Sequence, residues 1–298
     1  MSRIGILKFL FSHPLTKRHK LKTLTRFFRW QIGSRLVPGA VATPFVNDIR
    51  MLAEPGMTGA TGNTYAGLHE FEDMCFLLHM LRHEDLFVDI GANIGSYTLL
   101  ASGAVGAQSI AIEPIPRTFR YLTDNINLNN LQPKVTALNI GLGGENCLLR
   151  FTSELDTINH VVSDSDACHE SIEIQVKTLD EILSGALPKM IKIDVEGFEE
   201  HVIQGGHMTL SNQSLQAVLV ELNGAGARYC SNESEIHAKM IGYGFEPYRY
   251  SPFERKLISL EGRRLYNGNT LYLRTIHKIE ERLSASPRFD IRNVETSV

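Results

Sequence analysis

The sequence predicts an α/β protein, with a mostly parallel β-sheet covered by helices on both faces. Short apolar runs alternate with segments of helical periodicity between about residues 86 and 222. Such runs are typical of buried parallel strands, and strands that alternate with helices imply a doubly wound parallel sheet. The composition agrees, because 298 residues with 43% hydrophobic and 21% charged residues are ordinary for a globular chain.

The elements follow from apolar runs for strands and from apolar side chains three or four residues apart for helices. Residues 53–68 are rich in glycine and threonine, which predicts a loop. The final two strands have no helical pattern between them, so we expect a hairpin. The predicted helices are 69–82, 97–101, 119–128, 179–183 and 235–241, and the predicted strands are 86–90, 109–112, 135–140, 147–151, 172–176, 190–195, 217–222, 245–250 and 270–274.

Charge divides the chain into a basic arm and an acidic body. Residues 1–47 contain nine Lys and Arg and no acidic residue, whereas the remainder has 21 basic and 33 acidic residues. An acidic body disfavours nucleic acid as a partner because phosphates would be repelled. We expect a basic helical extension at 1–52, one α/β domain at 53–283 and a poorly ordered tail at 284–298.

The basic arm contains a predicted amphipathic helix. Leu21, Leu24 and Phe28 fall at helical spacing among basic residues. Its apolar face either docks on an anionic membrane surface or packs against the main domain. The four cysteines are far apart and form no C-x-x-C pair, which fits a reducing compartment. We therefore expect a cytoplasmic protein with a peripheral membrane contact as one alternative.

The strongest motif lies where the first strand of the sheet ends. Asp89 closes that strand, and Gly91 and Gly95 follow in a tight turn before a helix. The dinucleotide pattern G-x-G-x-x-G cradles a pyrophosphate. Here the spacing is G-x-x-x-G after an acid, which would repel a pyrophosphate but suits a cationic ligand such as S-adenosylmethionine. The alternative is an ordinary glycine-rich turn.

A second carboxylate, Glu113, ends the next strand, 18 residues after Gly95. An acid at this place can accept hydrogen bonds from both ribose hydroxyls of a nucleoside. Together the two strand ends predict a site for a positively charged nucleoside, with a surface glutamate as the alternative interpretation of Glu113.

With the stretch Lys192-Ile-Asp-Val-Glu-Gly-Phe-Glu199, these motifs resemble the FkbM family of S-adenosylmethionine-dependent methyltransferases. The resemblance covers roughly residues 65–274. It implies a class I methyltransferase fold: a Rossmann-like, seven-stranded, mostly parallel sheet with one antiparallel edge strand. It also implies methyl transfer to a hydroxyl of a sugar, glycolipid or secondary metabolite.

The resemblance further implies which residues bind the cofactor S-adenosylmethionine. Glu113 would hold the ribose, and a stretch containing Glu70 also looks like the family and is assigned to the cofactor. After the third strand the usual acid near adenine is absent, so Glu145 or a backbone carbonyl would make that contact. The residues expected around the methionine end are Asp89, Gly91, Asn93 and Gly95.

Asp194 and Glu196 are the candidate catalytic residues. They follow a predicted central strand at the sheet edge where open α/β sheets bind ligands, and either could remove the proton from the acceptor hydroxyl. The alternative is a structural role for both. Lys192 is expected to form a structural ion pair with one of them. We see no third carboxylate at matching spacing, so we predict no metal.

The sequence leaves three functional hypotheses. The first is an O-methyltransferase that acts on a small molecule or a glycan. The second is a non-catalytic module of the same fold that binds S-adenosylmethionine or a nucleoside. The third, a nicotinamide oxidoreductase, is disfavoured by the acid that precedes G-x-x-x-G. We expect the acceptor pocket at 56–68, 153–170 and 224–230.

Overall fold

The structure is a computed structural model that describes residues 3–153, 159–163, 170–266 and 268–298. Its helices are α1 (Arg3–Ser12), α2 (Lys20–Leu36), α3 (Thr58–Ala66), α4 (Phe71–Met80), α5 (Ser96–Thr98), α6 (Pro116–Leu128), α7 (Leu179–Leu183), α8 (Glu199–Gln204), α9 (His207–Ser211), α10 (Glu233–Gly242) and α11 (Ile276–Ser284). A π-helical segment, Leu99–Val105, continues α5, and 3₁₀ turns occupy Ala225–Tyr229 and Arg292–Val294.

The strands alternate with these helices through most of the chain. The first five are β1 (Val41–Pro44), β2 (Arg50–Ala53), β3 (Leu86–Ile90), β4 (Gln108–Ile112) and β5 (Val135–Leu138). The rest are β6 (Gly141–Leu142), β7 (Cys147–Thr152), β8 (Ser171–Lys177), β9 (Met190–Ile193), β10 (Ala217–Glu221), β11 (Glu246–Ser251), β12 (Lys256–Ser259), β13 (Asn269–Leu273), β14 (Asp290–Ile291) and β15 (Thr296–Ser297).

Within the described residues, eight strands form the central sheet in the order β12-β11-β13-β10-β9-β3-β4-β5. The five strands from β10 to β5 run parallel, and β3, β9 and β10 are buried on both faces because helices cover them. The α/β, Rossmann-like fold class is therefore confirmed.

Two details of the predicted sheet are wrong. The strand β13 is antiparallel to both of its neighbours but lies inside the sheet rather than at its edge. The sheet also has eight strands rather than seven: β11 and β13 pair antiparallel, as expected, but β12 lies between them in the chain and pairs with the other edge of β11. The sequence of β12 shows no apolar alternation, since its residues lie mostly exposed at the sheet edge.

Residues 53–68, predicted as a loop, contain the helix α3. Its side chains from Asn63 to Ala66 are buried between the N-terminal helices and the sheet domain. Packing therefore overrides a composition that favours loops. The helix ends at Gly67, whose φ of 92° suits a glycine.

The basic arm is helical, as predicted, but it packs through a different face. Phe27 and Trp30 are buried in the main hydrophobic core, whereas Leu21 and Phe28 point to solvent and Leu24 is half-buried. The described part of the chain has no helix both long and apolar enough to cross a membrane.

The segment 284–298 differs from the poorly ordered tail that we expected. The strands β14 and β15 pair, and Ile291 bridges to Val46 of the N-terminal region. Phe289 and Ile291 are buried, as is Val294. These apolar side chains anchor the tail on the same core that holds the basic arm.

Candidate active site

A cavity of about 230 Å³ opens at the carboxyl ends of the central parallel strands. This is the edge at which open α/β sheets bind ligands. Its walls include both predicted catalytic residues and every predicted cofactor residue except Gly95. Among the described residues, those lining the cavity include Glu70, Asp89, Gly91, Asn93, Glu113, Asp194 and Glu196.

Asp89 ends the buried strand β3 and fixes the helix that follows. Its Oδ2 atom accepts hydrogen bonds from the backbone N–H of Thr98 (3.0 Å) and from the Thr98 hydroxyl (2.7 Å). Burial raises the pKa of Asp89, and Lys192 and the Thr98 contacts oppose that rise. One oxygen of the Asp89 carboxylate therefore holds Thr98 in the helix that follows the turn. The side chain also contributes negative charge to the cavity wall.

Gly91 and Gly95 shape the turn for different reasons. Gly91 has φ = 75°, and a Cβ atom there would lie 1.7 Å from the backbone oxygen of Asp194. The close approach is thus to a neighbouring loop, whereas the sequence interpretation assigned it to a ligand. Gly95, with φ = 92°, packs against Leu122 and does not line the cavity. Gly95 therefore serves helix packing, whereas the family resemblance placed it at the methionine end of the cofactor.

Glu113 and Asn93 join the two neighbouring strand ends. The Glu113 carboxylate accepts hydrogen bonds from the backbone N–H groups of Asn93 (3.0 Å) and Ile115 (2.9 Å). Burial raises the pKa of Glu113 to about 7, although these hydrogen bonds oppose the rise. Since each carboxylate oxygen can accept more than one hydrogen bond, Glu113 keeps the capacity to accept ribose hydroxyls.

Lys192 and Asp194 form a buried ion pair in the wall of the same cavity. Lys192 Nζ lies 2.6 Å from Asp194 Oδ2, with side chains 5% and 25% exposed. Burial would lower the pKa of Lys192, but Asp194, Glu70 and Asp89 outweigh it and raise that pKa. Burial would raise the pKa of Asp194, but Lys192 and a hydrogen bond with Glu221 lower it. Asp194 is therefore an ionised carboxylate that is held by Lys192 and Glu221.

Glu196 and Glu221 complete the acidic side of the cavity. Burial and Asp194 raise the pKa of Glu196 to about 7 and that of Glu221 to about 10. At neutral pH Glu221 therefore keeps a proton, which it shares in the hydrogen bond with Asp194. Glu196 has φ = 53°, so the turn after β9, not strand alternation, aims it into the cavity.

The sequence predicted no metal because it showed no third carboxylate near Asp194 and Glu196, but the structure places Glu221 beside them. One ligand oxygen from each of Asp194, Glu196 and Glu221 lies within 4.8 Å of the others. The third carboxylate comes from the neighbouring strand β10 and so is invisible in local spacing. Oxygen ligands in this arrangement suit Mg²⁺ or Ca²⁺, although Lys192 already balances part of the charge.

Glu70 lines the same cavity and belongs to a polar cluster. Its carboxylate accepts hydrogen bonds from the Tyr97 hydroxyl and from Asn269 Nδ2, both at 2.9 Å. Asn269 also donates to Asp73, whose pKa burial and Glu70 raise to about 7. Glu70 is therefore held rigidly at the cavity wall.

A family comparison identifies this architecture. The sequence model of the family described as "Methyltransferase FkbM domain" matches residues 89–250, which is more than half of the chain.

The chain belongs to the FkbM methyltransferase family.

Two named relatives and one solved structure are similar to this chain. Over 152 residues the chain is 34% identical to "Hexuronic acid methyltransferase AglP" of Haloferax volcanii, covering 49% of this chain and 59% of that relative's length. Over 222 residues it is 26% identical to "Methyltransferase 1" of Beauveria bassiana, covering 65% and 87%. A similar solved structure, precorrin-6y C5,15-methyltransferase of Geobacter metallireducens, is 12% identical with a TM-score of 0.40, covering 70% and 88%.

S-adenosylmethionine is the cofactor of the FkbM methyltransferase domain, and the cavity suits it. The ligand carries a sulfonium and an amino group and has no phosphate, so a wall built from Glu70, Asp89 and Glu113 complements its charge. Ile112 and Leu142 add apolar surface beside Glu113, where a nucleoside base would pack. Glu145, one of the two candidates for the adenine contact, is not among the described residues that line the cavity.

Sequence reasoning missed several residues of this site. Glu221 ends a predicted strand, and the argument that selected Asp194 would also have selected Glu221. Tyr97 and Asn269 carry no local signal, because only the fold brings them to Glu70. Of the predicted acceptor segments, the first two contribute to the cavity lining, through Thr58, Gly59 and Asn63 and through Asn159 and Val161. In the third segment, Ala225 instead packs behind Gly197. Residues 154–158 and 164–169 lie outside the described residues.

Proposed function

We propose that this FkbM protein is an S-adenosylmethionine-dependent O-methyltransferase that acts on a hydroxyl of a sugar, glycolipid or secondary metabolite. One observation carries the proposal: Glu196, whose pKa is about 7, lines the same cavity as Glu113, the residue expected to bind the ribose. A carboxylate that titrates near neutral pH is suited to accept a proton from an alcohol.

When bound, S-adenosylmethionine supplies a methyl group activated by the positive sulfur. The protein's residues then have two tasks, which are to orient the acceptor oxygen in line and to take its proton. Glu196 takes the proton. Asp194, the second candidate, is engaged by Lys192 and Glu221, which leaves it a positioning role.

The acceptor is proposed to be a small molecule or a glycan rather than a nucleic acid. The name of the Haloferax volcanii relative specifies a hexuronic acid, which supports a sugar-like acceptor. A second cavity of about 210 Å³ adjoins the first and shares Thr58 and His69 with it. Trp30 and Arg35 line this second cavity, so α2 contributes to the space available to an acceptor.

The decisive experiment is incubation of the purified protein with labelled S-adenosylmethionine and a panel of hydroxylated acceptors that includes uronic acids and neutral sugars. Transfer of label to an acceptor hydroxyl supports the proposal. Tight S-adenosylmethionine binding without transfer to any acceptor would instead favour the non-catalytic binding module. Binding of a nicotinamide cofactor would contradict both.

We propose a cytoplasmic location for the protein, with peripheral contact at a membrane surface. Free thiols support a reducing compartment, because Cys75, Cys147 and Cys230 form no disulfide among the described residues.

A further inference from the structure

The helix α2 exposes a row of large apolar side chains that the fold does not use. Leu21, Phe28, Ile32 and Leu36 are between 55% and 82% exposed. Their spacing of seven, four and four residues places them on one face of the helix. The opposite face, with Phe27 and Trp30, is buried in the core. We name the exposed row the α2 outer face.

Basic residues border the α2 outer face. Arg18 precedes the helix, and Arg29 and Arg35 lie within it, all of them exposed. The whole segment 1–47 contains nine basic residues and no acidic residue. A surface that combines large apolar side chains with positive charge is complementary to lipid acyl chains beneath anionic headgroups.

Other occupants fit this surface less well. A second copy of the chain would bring two sets of basic residues together, and their repulsion opposes pairing. Nucleic acid would match the charge but would leave the exposed leucine and isoleucine side chains without a suitable partner. An anionic lipid surface offers partners for both, because its acyl chains accept the apolar side chains and its headgroups attract the basic ones.

We propose that the α2 outer face docks on an anionic lipid bilayer, with the helix lying parallel to the membrane plane. Leu21, Phe28, Ile32 and Leu36 enter the boundary between headgroups and acyl chains. Arg18 and Arg29 contact the headgroups. This docking does not depend on methyl transfer, so its failure would leave the proposed reaction untouched.

The test uses the full chain, because Phe27 and Trp30 belong to the core and deletion of the arm would disturb folding. Flotation with vesicles of phosphatidylcholine containing phosphatidylglycerol is compared with flotation on pure phosphatidylcholine. We expect binding to the anionic vesicles that weakens at high salt and is much weaker on neutral vesicles.

The decisive variant is the triple substitution Leu21→Gln, Phe28→Gln and Ile32→Gln, which we expect to reduce vesicle binding by about tenfold or more. The matched control, Leu148→Gln, Leu187→Gln and Met208→Gln, replaces side chains that are 56–69% exposed elsewhere and should bind like the wild type. S-adenosylmethionine titration of both variants checks that the fold is intact.

Three outcomes would overturn the proposal. The wild-type protein could fail to bind anionic vesicles. The triple variant could bind as well as the wild type, which would show that charge alone acts. The wild type could also form a dimer that the triple variant loses, without vesicle binding, which would identify the face as an interface between copies.

Discussion

Lys192 and Asp194 face each other at 2.6 Å in the centre of the site, and together they set the charge of its acidic wall. The ammonium group of Lys192 also lies 4.9 Å above the centre of the Tyr97 ring. With this cation in place, Asp194 stays ionised, while Glu221 keeps a proton and Glu196 titrates near neutral pH. The different behaviour of the three carboxyl groups therefore depends on burial and on Lys192, and Arg228 also lowers the pKa of Glu196.

Lys192→Met should destabilise the protein strongly, because it leaves Asp194 buried without its cation. Removal of one partner of a buried ion pair costs about 3–5 kcal/mol of unfolding free energy. Lys177→Met is the control, because its pair with Glu181 lies at the protein surface, where ion pairs contribute little to stability. Urea unfolding at neutral pH measures both changes, and equal changes would contradict the role assigned to Lys192.

The loss in Lys192→Met should also depend on pH. Because the pair lowers the pKa of Asp194, its contribution is present above the ordinary carboxyl pKa. The contribution disappears as the pH falls through the lowered pKa. The difference in unfolding free energy between Lys192→Met and the wild type should therefore shrink in acid, and a constant difference would point to lost packing instead.

Glu196→Gln should slow methyl transfer by about 10²–10⁴-fold while S-adenosylmethionine binding stays near normal, because the amide cannot accept the acceptor's proton. Steady-state turnover and calorimetric titration of the cofactor measure the two effects. Glu173→Gln, at an exposed position on β8, is the control and should retain full activity. Normal turnover in Glu196→Gln would exclude Glu196 as the base.

The pH profile gives an independent check on Glu196. Its pKa of about 7 means that the base is protonated in acid, so kcat/KM for the acceptor should fall about tenfold per pH unit below about pH 7. The cofactor is kept saturating because Glu113 also has a pKa of about 7. The profile of Glu196→Gln should be flat over this range, and an unchanged profile would assign the titration to another group.

The parts of the fold that sequence could predict are those with local signals. The buried strands β3, β4, β9 and β10 read as apolar runs, and Asp89, Glu113 and Asp194 were found because strand ends meet at one edge of the sheet. The helix α3 and the ordered tail were missed because their stability comes from contacts between distant segments, such as Ile291 with Val46. Local composition carries no record of such contacts.

The same limit applies inside the site. The motifs identified Asp194 and Glu196 but could not rank them, because the difference lies in Lys192 and Glu221, which reach Asp194 from the same strand and from a neighbouring one. A pKa depends on burial and on charges in space, and neither is visible in residue spacing. The assignment of Glu196 as the base therefore rests on the three-dimensional arrangement.

Glu113→Gln should weaken S-adenosylmethionine binding by about 30–100-fold, which corresponds to about 2–3 kcal/mol. The amide group of glutamine would place an N–H against the backbone N–H of Asn93 or Ile115. The substitution also removes the negative charge at the expected ribose-binding position. Calorimetry measures the affinity. Glu145→Gln is the control, since Glu145 is outside the described cavity lining, and unchanged binding in Glu113→Gln would contradict the ribose assignment.

Gly91→Ala should prevent folding or destabilise the protein far more than Gly262→Ala does. Both glycines have φ = 75°, so the backbone strain of alanine, about 1–2 kcal/mol, is common to the two variants. A Cβ atom at Gly262 has open space, whereas one at Gly91 would lie 1.7 Å from the Asp194 carbonyl oxygen. Comparing the thermal unfolding of the two variants therefore isolates the contact between the turn at Gly91 and the backbone at Asp194. Equal melting temperatures would show that these two segments do not touch.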